Sequence, residues 1–336
     1  MRRPHCAERG GGKGPSSCVV ESPYRRERIL TPVGAGSTEG LAGSAYAGEM
    51  QSPDESKRRP LSSLRHRIAR AAGRAAQSMD LDADSALQSA RTTLEWSIRH
   101  RGPDSSMAIK AKSEVAHQLE RFGRYNEAVE LRAEVVAQLQ LLLGPEHLST
   151  LAAEAFHAID LDRLDRHTEA RRRFEHVLAG RTDQLGADDP LTLLAMEWLG
   201  CNLRRLGDLD ESRRLLENAA DNYERLGAGQ TEECMKTRSH LATTQFEMGH
   251  LMEACAQRRR IVGVRTLTLG PDDPSTLNSL EHLASTLQWL DEFDEATLIY
   301  QSLLATRIHL LGTDHPETER TRELLSATEK GGKSGL

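Results

Sequence analysis

A Glu-Ala step recurs every 42 residues along this chain and constrains its fold more than any other feature. The step reads Glu127-Ala128, Glu169-Ala170, Glu211-Ser212, Glu253-Ala254 and Glu295-Ala296. Twelve residues before each small residue lies another one, at Ala116, Ala158, Gly200, Ala242 and Ala284. A Leu-Gly pair recurs in phase with both, at intervals of 41 to 43 residues. Because a fixed period of this length is typical of stacked supersecondary units, we predict a solenoid.

Each unit is predicted to hold two helices joined by a short turn. In the last complete unit, Ser275 is expected to cap a first helix that runs to about Leu290. A second helix is expected from Glu295 to about Leu311. The turn between the helices starts with glycine or aspartate in every copy, at Gly123, Asp165, Gly207, Gly249 and Asp291. These residue types favour tight turns, so the fold class is predicted to be all-α.

The small residues have a mechanical role in this prediction. Two antiparallel helices approach closely only where neither carries a bulky side chain, so Ala158 and Ala170 are expected to meet. The five or six repeats would then stack into an αα superhelix, and one further helix would close it.

The chain is divided into five predicted segments. Residues 1–60 are rich in Gly, Ser, Pro and charge, which predicts a disordered tail. Residues 61–103 fit the repeat poorly and are predicted to form a degenerate capping repeat. Residues 104–316 hold about five 42-residue repeats, 317–329 a closing helix and 330–336 a flexible tail.

Composition excludes several classes of function. The net charge of -6 gives no sign of nucleic-acid binding. The five cysteines are odd in number and form no C-x-x-C motif, so we expect neither a disulfide framework nor a zinc site. No apolar run reaches about 18 residues, so no membrane association is expected. A reducing, cytoplasmic location is the simplest setting.

Catalytic motifs are missing from the sequence. Residues 327–334 fit a loose phosphate-loop pattern, but a predicted helix precedes them where that site needs a strand. There is no H-E-x-x-H or G-x-S-x-G motif. We therefore predict a protein that is not an enzyme and has no cofactor and no metal.

The repeat resembles the tetratricopeptide repeat family, most closely the 42-residue version found in kinesin light chains. One copy reads L-G-A-D-D-P-L-T-L over residues 185–193, and another reads L-G-P-D-D-P-S-T-L over residues 269–277. The resemblance covers about residues 62–329. It implies a right-handed superhelix whose first helices line a concave groove, and such grooves bind peptides or partner proteins in this family.

The family's register places two rows of side chains on the concave wall. One row reads Arg121, Arg163, Arg205, Glu247 and Trp289. The other reads Glu114, Phe156, Trp198, His240 and His282, where kinesin light chains carry asparagines that hold cargo peptides. Arginine forks suit carboxylates and large aromatic groups anchor interfaces, so we predict an acidic protein or peptide ligand with an apolar anchor.

Other interpretations of these residues stay open. The arginines could instead pair with Glu120, Asp162 or Glu197 and only solvate the surface. Trp198 could pack between repeats, and the two histidines could be a plain polar lining.

Two functions follow from the whole pattern. The first is a scaffold or adaptor for protein–protein interaction. The alternative is a sensor or assembly fragment related to receptors that join a nucleotide-binding switch to such repeats, here without the switch domain. Self-association is compatible with either.

Overall fold

The computed structural model describes residues 85–334, which form twelve α-helices and no strand. The helices are α1 (85–101), α2 (Ser106–Arg121), α3 (Tyr125–Leu143), α4 (Leu148–Arg163), α5 (His167–Leu185), α6 (Pro190–Leu206), α7 (Leu209–Arg225), α8 (Glu232–Glu247), α9 (Leu251–Thr268), α10 (Pro274–Trp289), α11 (Phe293–Leu311) and α12 (Pro316–Ser334). The predicted tail over 1–60 and residues 61–84 of the predicted capping repeat lie outside the described residues. None of the twelve helices is long and apolar enough to span a membrane.

The helices stack in chain order, each on the next. From α2 to α11 they form five helix-turn-helix pairs, and α12 packs on α11 as a closing helix. The first helix α6 also contacts the first helices α4 and α8 of the neighbouring pairs. We call the surface formed by the first helices α2, α4, α6, α8 and α10 the inner wall; direct contacts join α4, α6 and α8 within it. The predicted all-α superhelix is confirmed.

Small residues bring the two helices of a pair together, as expected. Ala158 and Ala170 are fully buried in one core cluster. In the next pair, a Cβ atom added to Gly200 would lie 2.8 Å from Cγ of Leu216. The hydroxyl of Ser212 donates a hydrogen bond to the Gly200 carbonyl over 2.8 Å. A larger side chain at either position would separate the helices.

The turns explain why glycine and aspartate recur between the helices. The leading residue of each turn has a positive φ, from 59° at Asp165 to 85° at Gly207. Glycine adopts this left-handed geometry at no steric cost, and aspartate tolerates it better than most residues. The sequence prediction for these five turns is confirmed.

One predicted helix cap is wrong. Asp273 caps α10, since its carboxylate accepts a hydrogen bond of 2.8 Å from the backbone nitrogen of Ser275. Pro274 occupies the first helical position, where its missing N–H is no loss. Asp189 caps α6 in the same way. The Asp-Pro pair, rather than the serine, thus starts both helices.

The closing helix α12 is longer than predicted. It runs from Pro316 to Ser334, past the expected end at residue 329 and into the segment expected to be a flexible tail. A Cβ atom on Gly331 would lie 2.8 Å from the ring of Phe293. The absence of a side chain there lets α12 stay close to α11. The loose phosphate-loop match is consequently helical.

Replacing Ala158 with leucine is expected to lower the free energy of unfolding by about 1–3 kcal/mol, because the new side chain overpacks the contact with α5. Ala179, which is exposed on α5, supplies the matched control, and its change to leucine should have little effect. Urea unfolding followed by circular dichroism measures both. Equal stability of the two variants would contradict the close approach of α4 and α5.

Candidate functional site

Two of the predicted groove aromatics lie side by side on α4 and α6. The ring centroids of Phe156 and Trp198 are 6.5 Å apart, and Phe174 of α5 lies 6.4 Å from Trp198. The guanidinium of Arg181 lies 5.4 Å from the Trp198 centroid. Trp198 is half-buried by these contacts, so it packs between repeats, whereas Phe156 remains 40% exposed.

Trp289 is the most exposed of the predicted groove aromatics. The residue is 66% exposed, and its ring meets Phe246 of α8 edge-on, with centroids 5.8 Å apart. The position 42 residues later is Gly331, which has no side chain to cover the ring. Trp289 therefore presents an uncovered apolar surface at the α8–α10 end of the inner wall.

The three predicted arginines lie in different environments. Arg205 forms an ion pair with Asp162, one of the carboxylates named in the alternative interpretation. Arg121 is exposed and donates a 3.1 Å hydrogen bond to Gln118. Among residues 85–334, neither Arg121 nor the half-buried Arg163 has a carboxylate within 4 Å. Of the three, Arg205 alone is paired with a carboxylate of the described residues.

Asp162 is a buried acceptor that uses Arg205 as one of several donors. Asn202 Nδ2 donates to its Oδ1 over 2.8 Å, and His167 Nδ1 lies 2.7 Å from the same oxygen. These three partners come from the next repeat or from the adjoining helix. The contact therefore joins two repeats, and burial lowers the pKa of Arg205 without discharging it.

The two predicted histidines are neutral at ordinary pH. Burial and, to a smaller extent, the charges of Arg204 and Arg205 lower the pKa of His240 to about 4. Burial and the charge of Arg258 do the same for His282. His240 Nε2 lies 3.7 Å from Glu197 Oε1. No group of described His, Cys, Asp and Glu side chains is arranged to hold a metal ion.

Sequence reasoning missed a set of buried arginines on the second helices. They are Arg132, Arg181, Arg258, Arg265 and Arg307, and each is less than one-tenth exposed. Each donates a hydrogen bond to a backbone carbonyl in the first helix of the next repeat or, for Arg307, in α12. Buried charges are tolerated only when they are paired and hydrogen-bonded, so these contacts fasten one repeat to the next.

The carboxylate partners of these arginines come from the first helix of their own pair or the next. Arg132 Nη2 lies 2.6 Å from Glu120, and Arg265 Nη2 lies 2.5 Å from Glu232. Arg265 also donates to Ser279 Oγ over 2.9 Å, so it links α8, α9 and α10. The signal in the sequence is spacing, since the arginines occupy two positions of the 42-residue repeat.

Changing Arg265 to methionine is expected to destabilise the fold by about 2–3 kcal/mol, because the Ser275 carbonyl and the Ser279 hydroxyl lose a charged donor and the partly exposed Glu232 loses its ion pair. The matched control is Arg259→Met, which breaks a surface pair with Glu295 that is 50% exposed on the arginine side. That change should cost under about 1 kcal/mol. Urea unfolding compares the two, and similar losses would show that Arg265 is no fastening residue.

Comparison with known proteins agrees with this architecture. Models of the tetratricopeptide repeat match residues 107–183, 157–225 and 276–317. Residues between the matched segments contain α8 and α9, which continue the same helix alternation. A search of the curated proteins found no sequence that matches this chain.

Solved structures share the fold. A kinesin light chain-like protein of Podosopora anserina with nearly identical TPR-like repeats is 25% identical, with a TM-score of 0.55 over 60% of this chain and 95% of that one. BtubC of P. vanneervenii is 17% identical, with a TM-score of 0.60 over 70% and 94%. The apo form of RapI is 11% identical, with a TM-score of 0.51 over 75% and 92%.

Tetratricopeptide repeats form a class of protein-interaction scaffolds, and every element of the class is present here: the period, the helix pairs, the small-residue contacts and the inner wall. The chain belongs to the tetratricopeptide repeat family, with 42-residue repeats like those of kinesin light chains.

Proposed function

We propose that this protein is a non-catalytic adaptor whose inner wall binds an acidic segment of a partner protein that also carries an apolar anchor residue. The observation that carries this proposal is one row of the inner wall. Arg121 and Arg163 stand in it without a carboxylate within 4 Å among the described residues, and Trp289 stands in it 66% exposed.

The net charge of this row changes along the superhelix. Arg121 and Arg163 lie at its α2–α4 end, where planar guanidinium forks favour carboxylate groups. In the middle, Arg205 is held by Asp162, and Glu247 lies 2.5 Å from Arg204. These two pairs neutralise the centre. The acidic part of a ligand is therefore expected at the α2–α4 end.

Trp289 favours an apolar side chain at the other end. A large exposed aromatic ring that is already held at one edge by Phe246 loses little freedom when a ligand covers its face. Phe156 adds a second, smaller exposed surface on α4, the helix that also carries Arg163. An extended peptide could thus contact both ends of the row at once.

The experiment selects ligands from a random peptide display library with the full chain as bait, and then measures affinity by fluorescence anisotropy. Enriched peptides are expected to carry Asp or Glu together with an aromatic or large aliphatic residue. Arg121→Glu with Arg163→Glu should weaken their binding about tenfold or more, since attraction becomes repulsion. Trp289→Ala should weaken it by a similar factor.

The matched control reverses two charges on the second helices. Arg172 and Arg214 are exposed on α5 and α7, and they too are one repeat apart. Their change to glutamate should leave peptide binding unaltered. Peptides without acidic enrichment, or equal losses in the control, would overturn the proposed site. Circular dichroism must first show that every variant keeps its helical content.

A further inference from the structure

A buried carboxyl group lies between the first two helix pairs with too few partners. Asp160 on α4 is fully buried, and neither of its oxygens accepts a hydrogen bond from a described residue. Arg132 Nε lies 3.2 Å from its Oδ2, while Arg132 Nη2 lies 2.6 Å from Glu120 on α2. Two carboxyl groups therefore face one guanidinium in a largely buried site.

The same position in the other repeats is never ionisable. Its occupants at 42-residue steps are Gln118, Asp160, Asn202, Thr244, Thr286 and Thr328. The neutral members make hydrogen bonds there. Thr286, for example, accepts from Arg258, and Thr328 accepts from Gln288 over 2.6 Å. Asp160 is thus an ionisable exception at a place that the fold otherwise fills with a neutral polar group.

A proton would correct the charge balance of this site. With both carboxyls ionised, the site would hold one unit of uncompensated negative charge, and such burial is costly. Other groups around it are His117, whose Nδ1 lies 3.7 Å from Glu120, and Arg163 on α4 itself. Burial outweighs the attraction of Arg132 and raises the pKa of Asp160 to about 7.

Glu120 is the carboxyl that keeps its charge. Burial alone would raise the pKa of Glu120, but the neighbouring His117 and the charge and hydrogen bond of Arg132 outweigh that effect and lower it. The pKa values of the two carboxyl groups are thus shifted in opposite directions, and Asp160 is the group that holds the proton.

Arg132 connects this site to the inner wall. Its Nη1 donates a 2.7 Å hydrogen bond to the backbone carbonyl of Phe156, and its guanidinium lies 5.1 Å from the centroid of the Phe156 ring. The residue that balances Glu120 against Asp160 therefore also positions an exposed aromatic of the groove.

We propose that a proton on Asp160 acts as a latch between the first two repeats. It holds Arg132 on Glu120 and beside the Phe156 ring, and its loss at higher pH releases this arrangement. When the proton leaves, Asp160 competes with Glu120 for Arg132, and the joint loosens. The latch is a property of the fold, so it stands or fails independently of any ligand of the groove.

The direction of the pH effect follows from proton linkage. An aspartate in the unfolded chain loses its proton near pH 3.8, whereas Asp160 in the folded protein keeps it until about pH 7. Between these values the folded state binds more protons than the unfolded state. Stability is then lost as the pH rises through this window, and the dependence ends above it.

Urea unfolding of the full chain from pH 5 to pH 9 tests the latch against Asp160→Asn, a neutral residue of the same shape. The urea midpoint of the wild type should fall relative to that of the variant as the pH rises toward 8. The control Asp165→Asn removes an aspartate that is 94% exposed, in a turn whose positive φ asparagine tolerates. Its profile should follow the wild type.

Two further readouts keep the test decisive. The carboxyl ¹³C signal of Asp160 should titrate near pH 7 rather than near pH 4. The signal is assigned by its absence in the Asp160→Asn variant. If that variant fails to fold, Asp160→Thr, which places the residue of three other repeats at this position, serves instead. With Trp96 and Trp289 changed to phenylalanine, Trp198 fluorescence should report movement of Phe156 over the same pH range. A carboxyl that titrates with the exposed aspartates, or parallel pH profiles, would overturn the latch.

Discussion

The close approach of two helices at a pair of small residues is the contact on which the rest of this structure depends. Ala158 and Ala170 have no exposed surface, and Gly200 is so near Leu216 that even a methyl group would collide. This contact fixes the distance between helices within a pair, and the left-handed turn fixes their direction. Every inter-repeat contact, including those of the inner wall, inherits its geometry from these two constraints.

Polar contacts then set how one pair sits on the next. Small apolar residues pack closely but carry little directional information, whereas a buried arginine must meet its acceptors at defined positions. Arg258 reaches the His282 carbonyl of the following helix and lies 5.2 Å from the Phe246 centroid of the preceding one. Where the repeat replaces this arginine with Phe174, the carboxylate Asp162 takes Arg205 instead. An arginine therefore joins neighbouring repeats in both places, but it comes from a different position of the repeat in each.

The parts of the fold that a sequence reveals are those tied to one residue type. A turn with positive φ requires glycine or aspartate, and a close helix contact requires alanine or glycine, so both were predictable. The cap at Asp273 was missed because Pro274 and Ser275 are also good helix starters, and only geometry decides among them. The buried arginines were missed because arginine usually lies on the protein surface. Their recurrence at fixed positions of the repeat is the one sequence feature that could have indicated burial. The pairing of Arg205 with Asp162 was one of two open interpretations, since the residues that neighbour each other across repeats depend on side-chain direction as well as on period.

The inner wall shows how a repeat protein separates structural charge from charge available to a partner. All three arginines of the row come from the same repeat position, yet Arg205 serves the fold because Asp162 lies beside it, and Arg163 has no such neighbour. The preceding repeat holds a carboxylate at the same position in both cases. Asp162 pairs with Arg205, whereas Glu120 is already paired with Arg132 and lies more than 4 Å from Arg163. Binding specificity in such an array can therefore change through residues that never touch the ligand. A carboxylate gained or lost beneath the wall decides which guanidinium groups face outward with their charge uncompensated.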